Sequence, residues 1–470
     1  MIYSHRFFQD QFAPIAIYEK LKKSFPHELS FLLESAGNSH GNYSIIALGA
    51  RERLRYTNGV THYTNAAGEE TTLTQSPFAF LKAYYHNIDS AYYATQAKEL
   101  ALGYIDGFMG YVGYDVVQVF EPTLTHAMKN LEDQTTIPDM DLILPKLVAI
   151  LSHRELTITL ITTLESIHER FNALEISLKS PYTYTPLVAI QNDHGGNFIH
   201  TKEHFFSMID ASKAMIRSGD VFQILMTNRY IRHADVDPLS FYRVLRVKNP
   251  SPYMYLMEYG DFSIVGSSPE VMVRLTDGEI LLRPIAGTRK RGKDKVRDKA
   301  LEEELLSDPK ELSEHLMLID LGRNDVGRVA VTGSVKVEEM MHVERYSHVM
   351  HIVSDVHAHL REDKDMFDLL AATFTAGTMT GAPKIRSMEL IAQLEGVKRS
   401  FYSGTIGYFG FDGNMDTAIT IRTALIKPDA IILQAGAGIV ADSVHELEYL
   451  EVTNKLGALT STLDDLINPA

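Results

Sequence analysis

The spacing of apolar residues predicts a chain built from both strands and helices. In the first part of the chain, apolar runs at 147–151 and 156–162 have the length of strands, and a third strand is predicted at 61–64. Further along, apolar residues recur with helical spacing between 205 and 216, and a strand is predicted to follow at 221–231. Neither type of element dominates the pattern.

The second part of the chain continues this mixture without a strict strand–helix–strand rhythm. Turn-forming pairs at Asp277-Gly278 and Asp412-Gly413 predict two hairpins, and helices are predicted at 298–306, 309–318 and 383–395. Hairpins imply antiparallel pairing. The pattern therefore favours a mixed α+β fold over a doubly wound parallel sheet.

One segment has the composition of a linker. Residues 181–200 contain proline, Asn192-Asp193 and Gly195-Gly196. We therefore predict a first domain at 1–180 and a second at 201–465.

Composition narrows the function classes. The 470 residues include 60 acidic and 45 basic side chains, a net charge of −15, which argues against nucleic acid or an anionic membrane as the main partner. The chain has no cysteine, so disulfides, thiolate metal sites and a cysteine nucleophile are excluded. With no signal-like start and no apolar run long enough to span a membrane, we expect a cytoplasmic protein.

Two segments carry the spacing Glu-x-x-Glu, namely Glu311 with Glu314 and Glu448 with Glu451. Both are predicted to lie near helix starts, the first after the N-cap Asp308 and the second in a capping box that begins at Ser443. Residues three apart face the same side of a helix, so each segment presents two carboxylates to one side.

Converging carboxylates repel one another unless a hard cation lies among them, and Mg²⁺ suits such a donor set best. Solvated helix faces are the alternative, with Glu311 as a helix-start acid and Glu451 as an ion-pair partner of Lys455. Spacing alone leaves both interpretations open.

A glycine-rich segment runs from Gln434 to Ser443 and is predicted to be a loop between an apolar strand and the second acidic helix. Its small residues would allow a ligand to approach the backbone amides, which bind anions such as carboxylates. A tight packing turn is the alternative.

Several strings together resemble the chorismate-utilising enzymes, and most closely the large synthase subunits (component I) of anthranilate synthases. The similarity is dense and in order over roughly 200–460. The strings are Pro284-Ile-Ala-Gly-Thr288-Arg, Asp320-Leu-Gly-Arg-Asn-Asp-Val-Gly-Arg328, Glu344-Arg-Tyr-Ser-His-Val-Met-His351-Ile, Gly377-Thr-Met-Thr-Gly-Ala-Pro-Lys384 and Gln434-Ala-Gly-Ala-Gly-Ile-Val-Ala-Asp442.

The resemblance implies an α+β fold of two antiparallel sheets packed face to face with helices outside, and a regulatory N-terminal domain. It implies a Mg²⁺-dependent lyase that converts chorismate and ammonia to anthranilate and pyruvate, the first step of tryptophan biosynthesis. A glutaminase uses a cysteine nucleophile, which this chain lacks, so a separate glutaminase subunit (component II) is expected to supply ammonia in a hetero-oligomer.

The resemblance also implies roles for individual residues. Glu314 and Glu451 would bind Mg²⁺ directly, with Glu311 and Glu448 behind them through water. Glu270 would act as the general acid on the C4 hydroxyl, with His351 and Thr378 near the departing groups. Residues expected to bind substrate are Thr288, Tyr402, Arg422, Ala435, Gly436, Ala437, Gly438 and Lys455.

Two positions separate the possible activities. Relatives that add water carry a lysine where this chain has Gln223, and the aminodeoxychorismate synthases carry a nucleophilic lysine where it has Ala286. Both positions favour anthranilate formation. The alternatives are an aminodeoxychorismate synthase component I and a catalytically silent chorismate-binding protein.

The resemblance finally implies feedback inhibition by L-tryptophan. Family members often carry a basic residue shortly after the Glu-Ser pair, but positions 35–50 contain no Lys or Arg, and His40 is the nearest candidate. A hydrophobic seam between domains is the alternative. The residues expected to bind the inhibitor are Glu34, Ser35, Pro252, Tyr253, Met254, Ile406 and Tyr408.

Overall fold

One hydrogen-bonded network connects the strands of the computed structural model, which describes residues 1–35, 43–346 and 349–467. The strands are β1 Tyr3–Phe8, β2 Ser30–Glu34, β3 Tyr43–Thr57, β4 Val60–Thr64, β5 Glu70–Leu73, β6 Gly107–Val112, β7 Met140–Ser152, β8 Thr157–Thr162, β9 Gly196–Phe198, β10 Gln223–Arg232, β11 Tyr253–Glu258, β12 Ser263–Ser268, β13 Val271–Thr276, β14 Glu279–Leu282, β15 Ile285–Lys290, β16 Lys336–Arg345, β17 Val349–His359, β18 Gly381–Ala382, β19 Thr405–Gly410, β20 Met415–Ile419, β21 Thr423–Lys427 and β22 Ala430–Ile439.

Helices flank this network. They are α1 Pro14–Ser24, α2 Pro77–His86, α3 Ser90–Leu100, α4 Val117–Phe120, α5 Thr125–Met128, α6 Glu165–His168, α7 Phe171–Lys179, α8 Lys202–Arg217, α9 Pro238–Lys248, α10 Lys295–Ser307, α11 Pro309–Gly327, α12 Met366–Thr373, α13 Lys384–Glu395 and α14 His445–Ile467. Short 3-10 turns lie at Tyr114–Val116, Pro122–Leu124 and Gly377–Met379.

Two arms of antiparallel strands diverge from the long pair β3–β7. One arm continues through β2, β11, β12, β21, β22 and β10. The other continues through β6, β19, β20, β13, β14 and β17, and β17 also pairs with β15 and β16. The mixed α+β fold with a large antiparallel sheet is therefore confirmed.

Strands from the first 180 residues pair directly with strands from the second part, β2 with β11 and β6 with β19. Two large clusters of buried apolar side chains pack against the strands, and each draws residues from both parts of the chain. The domain division at 181–200 stays a prediction.

Most of the helices, strands and turns predicted from local sequence patterns are confirmed. The predicted helix at 205–216 lies within α8, the strand at 221–231 corresponds to β10, and Asp277-Gly278 closes the β13–β14 hairpin with positive φ at both residues. Asp308 caps α11 by accepting hydrogen bonds from two backbone N–H groups of the first turn. That helix runs to Gly327, beyond the predicted end at 318.

Two local predictions were wrong. The glycine-rich segment is predicted as a loop over 434–443, but residues 434–439 belong to strand β22 and pair with β10, and only 440–443 lie outside the strand. The capping box at Ser443 does not form, since the Ser443 hydroxyl accepts a hydrogen bond from the Val440 N–H at 3.0 Å and α14 begins at His445. Within the described residues, every helix is too short or too polar to cross a bilayer.

Candidate functional site

A buried carboxyl and a hydroxyl meet where β12 gives way to β13. Glu270 lies between these strands, and the Thr378 hydroxyl, from the 3-10 turn that precedes β18, donates to Glu270 Oε1 at 3.0 Å. Burial raises the pKa of Glu270 to about 7, although Thr378, Arg422 and Lys455 act in the opposite direction. This carboxyl can therefore hold a proton near neutral pH and donate it.

His351 is fixed by the adjacent strand. The register of β15 and β17 places Thr288 opposite His351. The Nδ1 atom of the histidine lies 2.9 Å from the Gly287 carbonyl oxygen and 3.1 Å from the Thr288 hydroxyl. Because a carbonyl only accepts, Nδ1 carries the hydrogen, and Nε2 remains as an acceptor. Burial lowers the pKa of His351, which favours the neutral imidazole.

Arg422 is a half-buried cation that lacks a bonded counter-ion within the described ranges. The charge of Glu270 acts on it, but it makes no hydrogen bond to a carboxylate there, and burial lowers its pKa. Its backbone has φ 50°, a conformation that non-glycine residues rarely adopt. A guanidinium held in this way is suited to bind a carboxylate of a ligand.

The backbone of β22 approaches its neighbours closely. A Cβ atom on Gly438 would lie 2.5 Å from Gln223 Nε2, and one on Gly436 would lie 2.8 Å from the Met226 carbonyl oxygen. Position 436 therefore requires glycine, whereas the flexible Gln223 side chain can move away from a Cβ at 438. Tyr402 is buried against this strand, and the pKa of its phenol is raised by burial, so the hydroxyl stays protonated.

Lys455 connects α14 to the glycine-rich strand. Its Nζ donates to the Gly436 carbonyl oxygen at 2.9 Å and forms an ion pair with Glu451 at 2.7 Å. The predicted substrate-binding segment, Ala435 to Gly438 of β22, and the predicted acidic helix are thus joined by one ammonium group.

The four predicted metal-binding carboxylates differ in their surroundings. Glu311 is ion-paired with Arg289 at 3.1 Å, and Glu451 is paired with Lys455 as the alternative of solvated helix faces predicts. Glu314 instead accepts from Gln223 Nε2 at 3.3 Å, and Glu448 is buried. Across 1–35, 43–346 and 349–467, no three acidic or histidine side chains lie close enough together to form a metal cage.

The charges of these helices nevertheless act on one another. The pKa of Glu314 is raised, first by burial and also by the charges of Glu311 and Glu451. The pKa of Glu448 is raised by burial and by Glu451. Carboxylates that disfavour one another's ionised form would be stabilised by a cation, and oxygen donors suit Mg²⁺. The chemistry of these donors therefore suits this ion, although no three of them form a closed cage among the described residues.

A second region of the molecule is a cavity of about 880 Å³. It is lined by all seven residues predicted to bind the inhibitor, Glu34, Ser35, Pro252, Tyr253, Met254, Ile406 and Tyr408. The register explains their convergence, because Glu34 pairs with Met254 across β2 and β11. His40 lies outside the described residues.

Sequence reasoning missed the cations around this cavity. Arg246 of α9 donates to Glu34 Oε1 at 2.9 Å, although the two residues are 212 positions apart. Arg274 lines the cavity, pairs with Asp416 at 3.3 Å and donates to the Tyr253 hydroxyl at 2.9 Å. No local pattern signals these contacts, because each depends on strand and helix packing.

Comparisons with known proteins indicate the same family as the sequence motifs. The sequence matches the family model described as chorismate binding enzyme over residues 30–461. It is 41% identical to anthranilate synthase component 1 of Aquifex aeolicus, over 97% of this chain and 93% of that one.

Solved structures show the same similarity. A crystal structure of anthranilate synthase component I from Streptococcus pneumoniae superimposes with a TM-score of 0.79 and 33% identity, covering 97% of this chain and 99% of the other. The menaquinone-specific isochorismate synthase of Escherichia coli, at 19% identity and a TM-score of 0.73 over 98% of this chain and 94% of the other, shares the fold.

Proposed function

The chain belongs to the family of chorismate binding enzymes, and from that premise we propose that it is the synthase subunit of an anthranilate synthase. The reaction is the conversion of chorismate and ammonia to anthranilate and pyruvate. The observation that carries the proposal is the buried Glu270 carboxyl, whose raised pKa suits the protonation of a departing hydroxyl.

The first stage replaces the C4 hydroxyl of chorismate as ammonia adds at C2. Glu270 donates its proton to that hydroxyl, which leaves as water, and Thr378 holds the carboxyl in place at 3.0 Å. Ammonia is already a nucleophile, so Gln223, which cannot act as a base, is sufficient at a position where water-adding relatives carry lysine.

Substrate binding would use the Arg422 guanidinium and the backbone of β22. Arg422 and Tyr402 would bind the enolpyruvyl carboxylate. The N–H groups of Ala435 to Gly438 that do not pair with β10 would be offered to the ring carboxylate. Thr288 and Lys455 support this arrangement through their contacts with His351 and with the Gly436 carbonyl.

The second stage eliminates pyruvate and leaves an aromatic ring. The neutral His351 ring has Nε2 available as an acceptor, because Nδ1 is occupied by the Gly287 carbonyl. We assign it to proton transfer during this elimination.

Glu314 and Glu451 would bind Mg²⁺ directly, with Glu311 and Glu448 behind them through water. When bound, the ion would neutralise the ring carboxylate and relieve the repulsion among these side chains. The residues of the chain then orient the substrate against Glu270 and His351.

An aminodeoxychorismate synthase component I is the alternative enzyme. Ala286 of β15 is buried and carries no nucleophile, so it cannot form the covalent adduct expected of that class. A silent chorismate-binding protein would not need the Glu270–Thr378 pair.

Regulation and assembly complete the proposal. L-tryptophan would occupy the 880 Å³ cavity, whose walls supply aromatic surface together with both acidic and basic groups for an amino acid. Residues 1–180 would form a regulatory domain, the two strand arms would pack as face-to-face sheets, and a separate glutaminase subunit would deliver ammonia in the cytoplasm.

The test is incubation of the pure chain with chorismate, Mg²⁺ and excess ammonium at alkaline pH. We expect anthranilate fluorescence and pyruvate to appear in equal amounts. Consumption of chorismate without pyruvate would instead indicate an aminodeoxy product. Binding of chorismate without consumption would indicate a silent binder.

Replacing Arg422 by methionine is expected to raise KM for chorismate by at least ~30-fold, since losing one partner of a buried charge pair costs about 2–5 kcal/mol. The free energy of unfolding should not fall, because the substitution removes a partly desolvated charge that has no bonded counter-ion. Steady-state kinetics and thermal melting measure the two effects. Arg361→Met, which alters an ion pair with Asp363 at the surface, is the control, and an equal KM for both variants would contradict the role of Arg422.

A further inference from the structure

The cavity of about 880 Å³ is also lined by residues outside the set predicted to bind the inhibitor. Arg283, Glu344, Arg345 and Tyr346 line it as well, from the turn between β14 and β15 and from the end of β16. These strands pair with β17, and Glu344 lies opposite His351 in the register. The cavity therefore extends to the strands that hold the catalytic histidine.

Tyr346 lies between the large cavity and the His351 side chain. Its ring lines the cavity and also packs against the His351 ring, with centroids 5.6 Å apart and planes at 64°. Its hydroxyl donates to Glu344 at 2.9 Å, so the orientation of the ring is fixed.

An ion-pair network holds Glu344 in turn. Arg283 donates to Glu344 at 2.6 Å and to Asp355 at 2.7 Å. Burial opposes the ionisation of Glu344, but the Arg283 contact outweighs it and the pKa of Glu344 lies below its usual value.

Arg283 also lines a small cavity that includes Glu270 and Thr378. Arg283 and Val271 thus line both the large cavity and the small cavity that holds the catalytic carboxyl. A ligand that contacts Arg283 or Glu344 would change the hydrogen bonds that orient Tyr346.

We propose that Tyr346 is a positioning residue for His351 and that an occupant of the large cavity lowers turnover by displacing the Tyr346 ring. The inference rests on the proposed function, with L-tryptophan as the occupant. A displacement of about 1 Å at a catalytic group can reduce a rate ~10²-fold, so a small shift of this ring is sufficient.

The chain contains no tryptophan residue, which allows binding and inhibition to be measured separately. Fluorescence excited at wavelengths where tyrosine does not absorb comes from the added L-tryptophan alone. Its change on binding gives the Kd for L-tryptophan in the absence of chorismate. Inhibition is measured as the change in kcat/KM for chorismate, with ammonium as nitrogen source, at saturating L-tryptophan. In the unmodified chain we expect inhibition of ~10-fold or more, within the usual range of allosteric coupling.

In Tyr346→Leu, which removes the ring from His351, we expect the Kd for L-tryptophan to stay within ~3-fold while the inhibition falls to less than ~2-fold, since coupling rather than affinity is lost. Basal kcat should fall with KM little changed. Tyr346→Phe keeps the ring and loses the hydrogen bond to Glu344. Its basal kcat should therefore be close to that of the unmodified chain, and its inhibition by L-tryptophan should lie between those of the unmodified chain and Tyr346→Leu. A purely structural role would weaken L-tryptophan binding and thermal stability in parallel.

Tyr104→Phe is the matched control. Tyr104 lines the same cavity and donates to the Gly107 carbonyl at 2.8 Å, so it also loses one buried hydrogen bond, but it pairs with Tyr408 rather than His351. L-tryptophan should inhibit the Tyr104→Phe variant as strongly as it inhibits the unmodified chain.

The outcomes separate the two proposals. No anthranilate from the unmodified chain would overturn the proposed function and this inference with it. Turnover that is insensitive to bound L-tryptophan would overturn the inference alone. Unchanged inhibition in both Tyr346 variants would also overturn it, and Tyr346→Phe decides the matter if the leucine variant does not fold.

Discussion

Glu270→Gln is expected to lower kcat for anthranilate formation by ~10²–10⁴-fold, the usual contribution of general acid catalysis. Glutamine has the same shape and can still accept from the Thr378 hydroxyl, but it has no proton to deliver to the departing hydroxyl. The measurement is steady-state turnover with chorismate, Mg²⁺ and ammonium. KM for chorismate should change little, because the proton is transferred only in the transition state.

The same substitution should not destabilise the fold above neutral pH. The pKa of Glu270 is raised from an ordinary value of 4.5 to about 7, so the folded protein binds this proton more tightly than the unfolded chain does. The contribution of Glu270 to stability is therefore fully present below about pH 4.5 and is lost as the pH rises through about 7, a loss of about 3 kcal/mol. Glutamine cannot ionise and avoids this loss.

Activity and stability thus move in opposite directions at pH 8. Glu279→Gln, at an exposed position on β14, is the control and should alter neither property. Near-normal turnover in Glu270→Gln would remove this carboxyl from the mechanism. A lower melting temperature at pH 8 would show that the carboxylate is stabilised by contacts other than those described.

Local signals were sufficient for many elements of the fold. Asp308 followed by Pro309 fixes the start of α11, and Asp277-Gly278 closes a hairpin, because caps and turns depend only on residues close in sequence. The end of α11 was missed, since nine further residues continue the helix without a residue that stops it.

Long-range pairing explains what could not be predicted. The segment from Gln434 to Ile439 has the small residues of a loop, yet it forms a strand because β10, more than 200 positions earlier, lies against it. Arg246 reaches Glu34 through the packing of α9 on β11 and β12, a contact between residues far apart in sequence that no local pattern signals.

Glu314→Gln is expected to abolish turnover at low Mg²⁺ and to raise the Mg²⁺ concentration needed for half-maximal activity by at least ~10-fold, since it removes one carboxylate of the proposed site. Burial and the charges of Glu311 and Glu451 raise the pKa of Glu314, so its ionised form lowers stability as the pH rises through that pKa when no cation is present. The neutral variant should therefore melt at the same or a higher temperature without Mg²⁺.

Thermal melting with and without Mg²⁺ tests the metal site independently of catalysis. A ligand that binds only the folded state stabilises it by RT ln(1 + [L]/Kd), so the unmodified chain should melt at a higher temperature in Mg²⁺ than in its absence. Glu314→Gln should lose most of this increase, whereas Glu303→Gln, at an exposed position on α10, should retain it. An undiminished increase in Glu314→Gln would place the ion away from this carboxylate, because a direct ligand cannot be neutralised without weakening the binding.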